Sequence, residues 1–138
     1  MKQLIYSFIL CSVFSAHAQD STQVEPPIIV TKLMFGNQYE YNNHIVKFID
    51  VLNDSRCPKN VTCVRAGEAK VLVAIYKDAE FIEEKIIEIT PTTYLIENLP
   101  QLIISGETTI KGFNLIPYPE FGNAINKEDY ILQIVVED

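Results

Sequence analysis

Asp54, Arg56, Cys57 and Cys63 fall in one short stretch, Asn53-Asp54-Ser55-Arg56-Cys57-Pro58-Lys59-Asn60-Val61-Thr62-Cys63-Val64-Arg65-Ala66-Gly67. Their chemistry is that of a braced corner. Two cysteines six positions apart in a segment with Pro and Asn predict a disulfide closing a small ring. A zinc site pairs cysteines at shorter spacing and supplies four ligands, and a redox couple favours Cys-x-x-Cys, so neither fits well. By loop entropy such a ring stabilises the fold by roughly 2 kcal/mol. Asp54 can accept backbone N–H groups ahead of it in an Asx turn, Ser55 can do so more weakly, and Pro58 presets one backbone angle inside the ring. Arg56 can reach Asp54 or a fringe of carbonyls. This makes it either a brace or a recognition group, and the sequence leaves both readings open.

Catalytic partners are scarce. His44 is the single histidine outside the first residues, it follows an Asn-Asn turn, and the chain has no Gly-x-Ser-x-Gly or His-Glu-x-x-His pattern. The expectation is a protein that is not an enzyme and that needs neither metal nor cofactor. A small hydrolase or metal-dependent enzyme is the competing class. Charge narrows the partners further: eighteen Asp and Glu against eleven Lys and Arg give a net charge of −7, with no basic run. Nucleic acid and anionic lipid are therefore disfavoured.

The first eighteen residues read as a signal peptide. Lys2 supplies the positive start, Leu4 to Phe14 is an apolar run too short to span a bilayer, and Ala16-His17-Ala18 places small residues for cleavage before Gln19. Cys11 lies inside that run behind bulky Phe8-Ile9-Leu10, which argues against a lipid anchor, and it leaves with the leader. Of the three cysteines, Cys57 and Cys63 then remain as an even pair in an oxidising compartment, periplasmic or extracellular. After cleavage, no membrane insertion is expected. Residues 19–27, ending in Pro26-Pro27, read as an extended arm, and 28–138 as one domain of ordinary size.

The elements that must position the corner are strands. Short β-branched and aromatic runs separated by turn residues predict strands at about 28–35, 38–41, 44–52, 68–77, 81–90, 101–104, 108–111, 113–117 and 130–137. Asn42-Asn43 and Asp78-Ala79 read as hairpin turns, and Gly112 as a turn between Ile110 and Phe113. Gly36 and Gly106 each precede a short strand, a turn and a longer strand, a weak pseudo-repeat. Val71 to Tyr76 is apolar on both faces and reads as a central strand, whereas Phe81 to Ile89, broken by Glu83, Glu84, Lys85 and Glu88, reads as an edge. The predicted core comprises Val46, Phe48, Val71, Val73, Ile75, Ile87, Ile89, Phe113, Leu115, Leu132, Ile134 and Val136. The fold class expected is all-β, a small antiparallel sandwich that is Ig-like in outline, with a partly open barrel as second choice. Pro117 to Asp129 reads as a long loop, with Tyr118 and Phe121 either packed down or displayed.

The run Asp-Ser-Arg-Cys-Pro, the second cysteine, Ala66-Gly67 before a strand, and Leu115-Ile116-Pro117-Tyr118-Pro119 with Asp129-Tyr130 later together resemble an uncharacterised family of exported bacterial β-proteins. The likeness spans roughly Gly36 to the C-terminus. It implies export and a β fold and carries no activity with it. Arg65 stands where that family usually has Trp. In a bacterial protein, which the resemblance implies, the Asn60-Val61-Thr62 sequon is accidental. The reading that results is a binding or accessory domain for an exported protein or a small ligand. Its contact surface is the loop 54–67, and its candidate binding residues are Asp54, Arg56, Arg65, Tyr118 and Phe121. An inhibitor-like or envelope-stress protein acting on another exported protein is the alternative.

Overall fold

A computed structural model describes residues 28–91, 99–106 and 108–137. The expected leader and arm, 1–27, lie outside the described residues. Among the described residues eight strands run in order: β1 Val30–Met34, β2 Gln38–Tyr41, β3 His44–Asp54, β4 Ala69–Lys77, β5 Glu80–Ile89, β6 Gln101–Ser105, β7 Thr108–Ile116 and β8 Ile131–Glu137, with a 3-10 turn at Lys127–Asp129. They form two antiparallel four-stranded sheets, ordered β1-β8-β7-β6 and β2-β3-β4-β5. The sheets face each other as a sandwich and do not close into a barrel. Each is built of sequential hairpins, with β1 added beside β8, so the likeness to the Ig fold is one of layers rather than of Greek-key connections.

The second sheet follows from its turns. Asn42 (φ 54°), Asp78 (φ 52°) and Ala79 (φ 65°) occupy the left-handed region that tight hairpins need. The two turns support each other, since Asp78 N–H donates to the Asn43 carbonyl at 2.8 Å. β4 is interior to its sheet and nearly all apolar, while β5 is an edge that exposes Phe81, Ile82 and Ile86 among its glutamates. Val46, Phe48, Val71, Val73, Ile87, Ile89, Leu115, Leu132 and Ile134 fill the space between the sheets. Burying each such side chain contributes about 1.5–3 kcal/mol.

Three expectations are corrected in the β6–β8 sheet. Gly112 is no turn: it lies inside β7, which runs unbroken from Thr108 to Ile116. A Cβ there would meet Ile87 Cδ1 at 2.8 Å and push that side chain aside, so the glycine lets the two sheets approach closely. The pseudo-repeat fails with it, because Gly36 is followed by β2, a turn and β3, whereas Gly106 is followed by the single strand β7. Phe113 is half-buried rather than core, because the pairing of β7 with β8 slips between Gly112 and Asn114 and turns its side chain aside. Val136 is partly buried against the core.

Candidate functional site: a braced and stapled corner

The connection from β3 to β4 continues the hairpin before it opens. Ser55 N–H donates to the Glu68 carbonyl and Cys57 N–H to the Ala66 carbonyl, each at 2.8 Å. Ser55 Oγ donates to the Glu68 carbonyl at 2.9 Å. Gly67 makes this neck possible. It has φ +70°, and a Cβ on it would lie 1.8 Å from the Ser55 carbonyl oxygen. Beyond the neck, the Cys57–Cys63 disulfide closes the tip, with Cα atoms 5.9 Å apart.

Arg56 is 3% exposed, the single buried charged residue among those described. Its Nε donates to Asp54 Oδ1 at 2.8 Å and its Nη2 to Asp54 Oδ2 at 2.7 Å, the two-pronged geometry that gives the strongest guanidinium–carboxylate pairing. Nη1 donates to the Leu115 carbonyl at 2.6 Å and Nη2 to the Pro117 carbonyl at 3.2 Å. The first lies in β7 beyond Gly112, past the paired length of β6, and the second just after the strand ends. The side chain gives these carbonyls the donors that a neighbouring strand supplies elsewhere in a sheet. Tyr118 lies over the guanidinium, its ring centre 4.9 Å from Cζ.

Tyr130 completes the network by donating its hydroxyl to Asp54 Oδ2 at 3.0 Å. Burial alone would raise the Asp54 carboxyl. The hydrogen bond and charge of Arg56, with the Tyr130 hydroxyl, outweigh that and hold it below its ordinary value. Tyr130 moves the other way, pushed up to about 12 by burial first and then by the adjacent Asp54 charge.

The tip is tied to the β7–β8 connection. Lys59 N–H donates to the Pro119 carbonyl at 3.0 Å, and Lys59 Nζ pairs with Glu120 at 3.5 Å. Above these ties stand apolar side chains in solvent: Val64 fully exposed, Phe121 77% exposed and Val61 37% exposed. Arg65 is exposed beside them and forms no ion pair among the described residues. Behind the corner, beside Phe113 and Asn114 of β7, is a cleft of about 260 Å³ walled by Ile89, Pro91, Phe113 and Tyr118, with Arg56 and Asn114 also lining it.

The sequence-predicted site residues therefore divide. Asp54 and Arg56 are turned inward and engaged by the fold, Tyr118 covers them, and Arg65 and Phe121 face solvent. The sequence marked Tyr130 only as an aromatic at the end of the loop and before an alternating strand, not as a partner of Asp54, and nothing in it distinguishes Asn114. His44 opens β3 opposite Tyr41 and Lys77, away from the corner. Among the described residues no group of three or more His, Cys, Asp or Glu is placed to hold a metal, and no helix is long and apolar enough to cross a membrane. No family model, curated protein or solved structure matches the chain.

Proposed function

We propose that this chain is an exported, non-enzymatic binding domain that docks another exported protein through the tip of its stapled loop, with Val61, Val64, Arg65 and Phe121 as the contact residues. The observation that carries the reading is the pairing of a pinned base with an apolar tip. The disulfide, the Arg56 brace and the Lys59 bridge hold a segment whose tip leaves Val64 fully exposed, with Phe121 exposed on the connection it is tied to. Exposed apolar groups on a preorganised base are what a contact surface needs, because little ordering entropy is lost on binding. Arg65, with no ion-pair partner among the described residues, would give such a surface a preference for an apolar patch beside a carboxylate.

Export rests on the leader-like residues 1–18 and on the cysteine pair. The likeness to exported bacterial β-proteins supports the same compartment. A rigid projecting loop also favours the inhibitor-like variant of this reading, in which the tip fills a site on its target rather than a neutral surface. Cross-linking in envelope extract tests both. The product captured by the parent protein should disappear with Val64→Asp and Phe121→Asp and persist with Ile104→Asp, an exposed position on β6. Capture indifferent to the tip substitutions would refute the reading.

A further inference from the structure

We propose that the cleft beside Phe113 and Asn114 of β7 is a second binding site, for a neutral amide carrying one flat apolar group. It is separate from the loop tip and stands whether or not the tip docks a partner. Its volume, about 260 Å³, is several times the roughly 30 Å³ share of one water molecule, which is room for one large side chain and the amide beside it.

The walls select the apolar group. Ile89 and Pro91 form one side, and the rings of Phe113 and Tyr118 form the other. Phe113 is half-buried because the slip in β7 turns it out of the core and into this cleft. The polar end offers donors. A guanidinium has five N–H groups, and Arg56 uses four: one on Nε, one on Nη1 and two on Nη2. The second Nη1 proton has no partner among the described residues. Asn114 gives one amide proton to Gln133 Oε1 at 3.0 Å and accepts the Leu115 N–H on Oδ1 at 2.9 Å, which leaves its second Nδ2 proton.

Two spare donors beside apolar walls call for an acceptor oxygen on an apolar body. The acceptor should be neutral, because Asp54 already balances the Arg56 charge through its two-pronged pairing. A further carboxylate would enter with no cation of its own. An amide carbonyl satisfies both conditions, either on a free small molecule or on one residue of an extended segment of another chain.

The test is a titration of the 15N-labelled, disulfide-intact protein with N-acetyl-phenylalaninamide, followed through the backbone amides of Ile89, Phe113, Asn114 and Tyr118. Saturable shifts there are expected, with a Kd of about 1 mM and binding about tenfold weaker for N-acetylphenylalanine, which carries the carboxylate. Asn114→Asp keeps the acceptor for Leu115 N–H and removes the donor, and Phe113→Leu keeps an apolar wall without the ring. Each should weaken binding about tenfold while the spectrum stays dispersed. A capped pentapeptide with the same Phe between glycines locates the source. Tighter binding than the single amide assigns the site to a chain segment, equal binding to a small molecule, and both outcomes support it. The proposal is overturned by absence of saturation up to about 50 mM, by equal shifts from N-acetylglycinamide, by shifts confined to the loop tip, or by parental binding in both variants.

Discussion

Arg56 is committed to holding the molecule together. Its charge is buried, and its removal would leave Asp54 without its cation and the Leu115 and Pro117 carbonyls without this donor. Arg56→Ala should therefore cost about 3–5 kcal/mol, read as a lower urea midpoint, the expected penalty for breaking a buried pair. A variant as stable as the parent would make the brace dispensable. The Tyr130 hydroxyl ties the pair to pH. Asp54 sits below its ordinary value of 3.8, so the stability drawn from its ionised form is complete above that pH and drains as pH falls beneath it. Tyr130 is pushed up from 10.0 to about 12, so its contribution is complete below pH 10 and is lost as pH rises through that window. Tyr130→Phe should cost about 1 kcal/mol at neutral pH and flatten the alkaline loss. It should also move the acid loss to higher pH. Melting temperatures across the pH range for both proteins check all three. The sequence named the Asp54–Arg56 pair because the two residues are neighbours. It could not name the rest, because the partners at Leu115 and Pro117 are backbone carbonyls 59 and 61 positions away, which no side-chain pattern announces.

At the scale of elements, the strands were legible wherever apolar residues alternate between turn-formers. β2, β3, β4, β5, β6 and β8 lie within two residues of their expected bounds, since the period-two pattern and the turn residues agree there. β7 was misread because glycine has two structural uses, and the sequence favoured the turn where packing decided. Gly112 N–H bonds the Pro100 carbonyl at 2.8 Å while Ile87 occupies the space of its missing Cβ, and both are contacts with distant elements. Gly67 is the other case in which backbone rather than side chain sets the residue. Gly67→Ala should be destabilising and should displace the neck from Ser55, because the new Cβ has no room against a backbone oxygen and the φ is positive. Hydrogen exchange at Ser55 and Cys57 amides should speed in this variant, and unchanged protection would mean that the neck is held from elsewhere. In the β1–β8 ladder, Leu132→Asp should prevent folding, since Leu132 is fully buried between the sheets and an unpaired charge there costs a large part of a stability of roughly 5 to 15 kcal/mol.

Taken as a whole, the molecule separates what holds it together from what it displays. The sandwich core and the Arg56 network anchor the end of the molecule where the β3–β4 and β7–β8 connections meet, and the disulfide acts further out, on the tip alone. The ring it closes has a sequence separation of 6, so it removes few unfolded conformations. The double Cys57→Ser, Cys63→Ser variant should accordingly keep the β fold and lose about 2 kcal/mol, seen as a shifted denaturation midpoint with unchanged slope. Its effect on docking should be larger than that. The tip residues Val61 and Val64 flank Cys63, and with the bond gone the nearest ties left are the Lys59 bridge and the Cys57–Ala66 bond of the neck, so ordering them becomes a cost of binding. Comparing affinity for the cross-linked partner with stability in the parent, the double-serine variant and Arg56→Ala separates the two roles. The serine variant should lose affinity by a larger factor than stability predicts, and Arg56→Ala, measured where it remains folded, should lose stability first. If the serine variant binds as tightly as the parent, the staple serves folding alone and the contact surface must lie away from the loop it closes.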